Sequence, residues 1–181
     1  MLIDEDRLTL NGHEILLRNA AAEDAQMLID YLRTVCGETR FLMKEADEVN
    51  LTIEQEISFI EGHNRAPDGL LIIAFLDGEY AGNCSFDSMG ESRRNAHRAG
   101  LGIALYQKYT GYGLGRILMD RMIKYAKQLG YEQMELTVVQ GNERAIGLYK
   151  SFGFEECGRI PYANKYDDET YADDIFMVKK L

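Results

Sequence analysis

The spacing of apolar residues along this chain switches between a strand-like and a helical period, and each switch marks an element. Ile15-Leu16-Leu17-Arg18 reads as a strand, and Arg7-Leu8-Thr9-Leu10 is expected to pair with it across Asn11-Gly12, a dipeptide suited to a tight hairpin. From Ala22 to Cys36 the set Ala25, Leu28, Ile29 and Leu32 recurs at helical spacing, and Gly37 follows as a stop. Residues 40–51 show no clean period, which predicts an irregular, mobile connection. Thr52 then opens a second helix as N-cap, with Gln55 as its capping-box partner and Ile53, Ile57 and Ile60 as the buried stripe.

The middle of the chain reads as strands. The unbroken apolar run from Leu70 to Leu76 ends at Asp77-Gly78, a strong hairpin signal, and a second strand continues from Glu79 to Asp87. His97 to Leu105 reads as a third. After it come a helix from Gly113 to Leu129, a strand from Gln133 to Val138, a helix from Ala145 to Phe152, and strand-like stretches from Glu155 to Ala163 and Tyr171 to Lys179. On the 113–129 helix Leu114, Ile117, Leu118, Met122, Ala126 and Leu129 share one face, and Gly130 ends it. This order predicts a mixed α/β (α+β) layout that is neither doubly wound nor all-β.

Length and charge narrow the function. The 181 residues carry only two prolines, no repeat and no low-complexity linker, so a single domain over residues 1–181 is expected. Lys plus Arg number 20 against 30 for Asp plus Glu, a net charge of −10, which argues against nucleic acid as a partner because phosphate contacts need a basic face. The longest apolar run falls far short of the roughly 20 residues that span a bilayer, and the acidic start shows no secretory signal, so no membrane partner is expected. Cys36, Cys84 and Cys157 match neither a disulfide framework nor a zinc knuckle. A reducing cytoplasm is the expected location, and no metal is expected.

Two segments could carry chemistry. Thr110-Gly111-Tyr112-Gly113-Leu114-Gly115-Arg116 lies between a strand and a strong helix. Its alternate glycines let backbone approach a ligand, and the helix behind them offers free N–H groups and the positive end of its dipole to a phosphate. Arg116 adds a positive charge there. An ordinary strand-to-helix turn is the competing interpretation. It is not a P-loop, since no Gly-Lys-Ser/Thr follows, and Glu135 lies mid-strand, where it suits no dinucleotide ribose. The second segment runs from Asn142 to Phe154. Asn142 is a plausible N-cap and Tyr149 follows it by two helical turns, on nearly the same side. Simple packing of Ile146, Tyr149 and Phe152, with Gly153 as C-cap, would explain the same pattern.

Together, in this order and spacing, the two segments resemble the GNAT superfamily of acetyl-CoA-dependent N-acetyltransferases. Ile103 to Arg116 is similar to that family's strand and pyrophosphate loop, and Asn142 to Phe154 to its Asn-x-x-Ala-x-x-Leu-Tyr-x-x-x-Gly-Phe signature. The resemblance covers about Ile72 to Leu181, and the tail Tyr171 to Met177 is similar to that of spermidine and ribosomal-protein acetyltransferases. Thr110 departs from the family's usual Arg or Gln. The resemblance implies a mixed, mostly antiparallel twisted sheet flanked by about four helices. It implies acetyl-CoA as co-substrate and transfer to a primary amine, a small cationic amine or a peptide N-terminus, by direct attack; a homodimer is compatible with it. Backbone of Ile103, Ala104 and Leu105 would meet the pantetheine arm, and Gly111, Tyr112, Gly113, Leu114, Gly115 and Arg116 the pyrophosphate. Asn142 would contact the cofactor near its thioester, and Tyr149 would protonate the departing thiolate.

The general base and the acceptor stay open. Relatives that acetylate ribosomal-protein N-termini carry a glutamate five residues before the motif asparagine, and this chain has Thr137 there. His97 and Asp87 are the candidates instead. The acids Glu38, Glu45, Asp47 and Glu48, with Asp167, Asp168 and Glu169, fall in regions that shape the acceptor pocket of relatives, so they either attract a polyamine or are solvated loop charges. Another acyl-CoA donor, or a non-catalytic acyl-CoA sensor, is the alternative function.

Overall fold

The computed structural model describes residues 1–90 and 92–181. Eight strands form one sheet: β1 (Asp6–Leu10), β2 (His13–Asn19), β3 (Leu70–Leu76), β4 (Glu79–Ser88), β5 (Arg98–Leu105), β6 (Gln133–Val139), β7 (Glu155–Lys165) and β8 (Tyr171–Lys180). Their spatial order is β1-β2-β3-β4-β5-β6-β8-β7, and every neighbouring pair is antiparallel except β5 and β6. The two predicted tight turns set the register of the first half. Asn11-Gly12 joins β1 to β2 and Asp77-Gly78 joins β3 to β4, all four residues at positive φ.

Among the described residues four α-helices cover the sheet: α1 (Ala25–Glu38), α2 (Ile53–Arg65), α3 (Leu114–Gln128) and α4 (Glu143–Ser151). The unbroken apolar run of β3 is explained by burial on both faces. Leu70, Ile72, Ala74 and Leu76 join the core under α3 and α4, while Leu71 and Ile73 join a second core under α1 and α2. The Thr52–Gln55 capping box forms, with Thr52 Oγ1 accepting from Gln55 N–H at 3.3 Å and Gln55 Oε1 accepting from Thr52 N–H at 2.9 Å.

Some expectations about the helices need correction. Helix α1 runs on through Gly37 to Glu38, so glycine there slows no helix that packing supports. In α2 Ile60 is fully buried but Ile53, in the first turn, is 46% exposed, because the core against α1 and β3 takes in Ile57 and Ile60 and not Ile53. Leu129, one residue past α3, is exposed, and Met119 takes a buried place that the face assignment left out. Residues 40–51 are irregular apart from one 3₁₀ turn at Ala46–Glu48, but they are anchored. Val49 is buried and its carbonyl accepts from Arg33 Nε at 3.1 Å.

Candidate active site

The one parallel pair of strands opens into a fork. β5 and β6 are in register only at Arg98–Gly100 against Gln133–Glu135, and beyond Gly100 they diverge. Β4 holds β5 along its whole length to Leu105, so the gap lies on the β6 side. A two-pronged ion pair between Arg98 and Glu135 clamps the closed end. On the far side of β5, a bulge in β4 brings Gly82 (φ +146°) so close that a Cβ there would stand 2.4 Å from the Ala104 carbonyl oxygen. Residues Ile103 and Leu105 turn toward the α3 side, and Ala104 toward α1 and α2.

The glycine loop lies past the open end of β5. Backbone N–H groups of Gly111, Tyr112, Gly113, Leu114 and Gly115 have no protein acceptor among the described residues, and the first helical bonds of α3 come from Arg116 and Ile117 to the Gly113 carbonyl. Gly113 caps α3 at φ +88°, and a Cβ on it would meet Leu10 Cδ2 at 2.8 Å. Five consecutive free donors at the positive end of a fifteen-residue helix fit a pyrophosphate. The Arg116 N–H is bonded within the helix, and its guanidinium donates to Ser151 Oγ at 2.9 Å over the Phe152 ring, a contact between α3 and the end of α4.

Asn142 and Tyr149 lie at the cap and in the second turn of α4, the helix that follows β6. Asn142 Oδ1 accepts from Ala145 N–H at 3.2 Å, the cap predicted for it. Tyr149 is 7% exposed and packs in the core under α3 and α4. Its hydroxyl has no protein partner among the described residues and is not sealed from solvent. Burial, with a smaller push from the Cys84 thiol on β4, holds the phenol above its ordinary pKa. The group therefore stays protonated across the physiological range and is available as a proton donor.

The base candidates fare unequally. His97 precedes β5 at the closed end of the fork, about 13 Å along the strand from Leu101 at 3.3 Å per residue. Asp87 is committed to His63, whose Nε2 lies 3.2 Å from it while Nδ1 lies 3.1 Å from the Phe59 carbonyl. Two acceptors on one ring favour imidazolium, and the Asp87 hydrogen bond chiefly raises the His63 pKa. Thr137 is exposed on β6. Several loop acids are engaged nearby: Glu38 accepts from Gln107 N–H, Glu48 from Glu45 N–H, Asp168 from Thr170, and Glu169 pairs with Lys165. Arg40 stacks on Tyr166 at 3.6 Å and donates to Thr170, drawing the two acidic loops together.

One carboxylate was missed from the sequence. Glu56 of α2 is 8% exposed and has no hydrogen-bond or ion-pair partner among the described residues. It lines a cleft of about 280 Å³ between α1, α2 and the sheet, whose floor includes Asn83, Ser85 and Ala104. Its signal was present: Glu56 precedes Ile60 by four residues and so shares the buried face of α2.

Comparisons with known proteins identify the family and the fold. The profile of the acetyltransferase (GNAT) family matches residues 26–154. The acetyltransferase of GNAT family from Streptococcus pneumoniae superposes with a TM-score of 0.86 at 28% identity, over 92% of this chain and 99% of that one. A ribosomal-protein-alanine N-acetyltransferase from Brucella melitensis shares the fold, with a TM-score of 0.80 at 23% identity over 91% of this chain and 99% of its own. The L-amino acid N-acetyltransferase AaaT of Escherichia coli K12 is 34% identical over 110 residues, which span 60% of this chain and 66%, just under two thirds, of that enzyme. With the fork, the free-donor loop and the α4 signature in place, this chain belongs to the acetyltransferase (GNAT) family.

Proposed function

We propose that this chain transfers the acetyl group of acetyl-CoA to a primary amine, on a small molecule or a peptide N-terminus, by direct nucleophilic attack. The observation that carries this reading is the row of five unpartnered N–H groups from Gly111 to Gly115 at the mouth of the β5–β6 fork. Acetyl-CoA, when bound, supplies the activated acyl group and a thiolate leaving group. The loop donors hold its phosphates, and the unpaired edge of β5 at Ile103, Ala104 and Leu105 offers backbone groups to its extended arm. Asn142, the cap of α4, contacts the cofactor near its thioester. Tyr149, kept protonated by burial, gives its proton to the departing sulfur. The likeness to an L-amino acid N-acetyltransferase supports an amine on a small molecule.

The test is a thiol-release screen with acetyl-CoA against amino acids, polyamines, aminoglycosides and short peptides. Release of CoA with one of these acceptors supports the reading. Binding of acetyl-CoA without turnover on any class would point instead to a sensor, which the threonine at 137 favours, and release only with another acyl-CoA would change the donor. Absence of binding to every CoA species overturns the proposal.

A further inference from the structure

A carboxylate on a largely buried residue that lacks a partner costs stability unless something positively charged comes to it. Glu56 is in that position: the residue is 8% exposed, and its carboxylate, not sealed from solvent, has no partner among the described residues. The cleft it lines is otherwise walled mainly by apolar side chains, among them Leu28, Leu32, Phe59 and Leu71. Among the described residues no Lys, Arg or His lines it. The titratable groups around Glu56 are His63 on its own helix, Tyr80 from β4 and Tyr31 from α1. His63 is hydrogen-bonded to Asp87 and not to Glu56, Tyr80 accepts from Asn83 Nδ2 at 3.0 Å, and the buried Tyr31 hydroxyl has no partner among the described residues. The charge of His63 favours the carboxylate from a distance, but burial outweighs it, and no hydrogen bond or ion pair reaches the carboxylate among the described residues. The floor of the cleft includes Ala104, in the β5 segment whose other edge forms the open fork, so the cleft reaches the acetyl-transfer strand from the opposite face of the sheet to Tyr149.

We infer that Glu56 receives the ammonium group of the acceptor in this cleft and takes its proton, and that the acceptor is a primary amine on an apolar body without a carboxylate. This rests on the acetyl-transfer function proposed above. The absence of a cation in the lining leaves a free amino acid's carboxylate unpaired, and the single acid leaves the further ammonium groups of a polyamine unpaired. Desolvation disfavours both charged forms, ammonium and carboxylate, and so eases the transfer between them. Burial already raises the Glu56 pKa. The balance is closed. One proton passes from the ammonium to Glu56 and on to solvent. The neutral nitrogen then forms the C–N bond as the C–S bond breaks, losing a second proton, while sulfur takes one from Tyr149, which is reprotonated by solvent. The products are amide, CoA thiol and one proton.

The experiment compares the parent chain with Glu56→Gln and Glu56→Asp. Binding of 2-phenylethylamine, its neutral isostere 2-phenylethanol, L-leucine and spermidine is measured with and without CoA, and binding of acetyl-CoA is followed separately. The expected result is that 2-phenylethylamine binds the parent more tightly than leucine or spermidine. Glu56→Gln should weaken it roughly ten- to a hundredfold, the range for a hydrogen bond to a charged group. Glu56→Asp should restore part of the loss, and 2-phenylethanol should be unaffected. In turnover, Glu56→Gln should lower kcat/KM and remove the acid limb of its pH profile while acetyl-CoA affinity stays unchanged. Equal binding of the amine to parent and Glu56→Gln, or tighter binding of leucine or spermidine by the parent, overturns the inference. Loss of acetyl-CoA binding by the parent would strike the proposed function instead, and the amine-binding comparison would still decide for or against Glu56.

Discussion

At the scale of single residues, burial sets the protonation of two side chains of different chemistry. Tyr149 and Glu56 are both buried, and burial moves each away from its charged form. For the phenol this costs nothing at neutral pH, because a protonated hydroxyl is the form acid catalysis needs. Tyr149→Phe keeps the ring and deletes the donor, so turnover should fall by about 10²-fold, the low end for positioned acid catalysis because a thiolate leaves readily. Acetyl-CoA affinity and melting temperature should stay near those of the parent, and steady-state kinetics beside a thermal-shift titration check both. Unchanged turnover would make the tyrosine a packing residue only. Glu56 carries a stability cost as well. A carboxyl whose folded pKa is raised binds its proton more tightly when folded, so stability falls as pH rises from the ordinary carboxylate range through the raised value. Glu56→Gln should therefore be at least as stable as the parent at neutral pH, with the advantage fading in acid; melting curves across pH measure it.

Between elements, the fork is held at one end and opened at the other. Glu135 has a lowered pKa, chiefly through its hydrogen bonds from Arg98, and that pair ties β6 to β5 where they are still in register. A depressed carboxylate contributes stability that is present above its ordinary value of about 4.3 and lost as pH falls through its folded value. Glu135→Gln should lower the melting temperature at neutral pH, and the gap to the parent should close in acid. A constant gap across pH would mean that the pair does not clamp the fork. On the other edge of β5, Gly82→Ala would drive a Cβ into the Ala104 carbonyl oxygen and the Leu105 backbone, with φ already at +146°. Overpacking and strain of this kind cost roughly 1–3 kcal/mol each, so urea melts should show a clear loss, and acetyl-CoA affinity should fall with it because β5 must shift.

For the whole molecule, cofactor binding should appear as stability. A ligand at a hundred times its Kd adds about 2.7 kcal/mol, which for a chain of this size corresponds to roughly 5–10 °C in melting temperature. Saturating acetyl-CoA should give a shift in that range. Gly113→Asp should abolish it, since the variant places a carboxylate among the loop donors, although the Leu10 contact predicts some loss of intrinsic stability too. A net charge of −10 draws ammonium acceptors in at long range. That attraction is screened beyond about 8 Å at physiological ionic strength, so KM for the acceptor should rise with salt. Much of the acidic loop charge is held in local contacts, and the rise should be modest.

The sequence by itself determined what depends on neighbours along the chain. Asn11-Gly12 and Asp77-Gly78 specified their hairpins, Thr52 and Gln55 their capping box, and Asn142 its cap, because each of these bonds closes within a few residues. The loop from Gly111 and the helix behind it were legible for the same reason. The tertiary structure decided what depends on residues far apart. The divergence of β5 from β6 arises where strands 35 residues apart stop pairing, and no local pattern encodes the point of separation. The contact of the Arg116 guanidinium with Ser151 and Phe152 likewise joins residues 35 and 36 positions apart and has no local signal. Helical spacing puts Glu56 on the same face as Ile60, but that spacing does not reveal whether the face meets solvent, a cleft or another helix at this turn. Only the packing of α1 and α2 over β3, β4 and β5 buried it without a counter-charge, because burial is a property of the assembled layers and not of the segment.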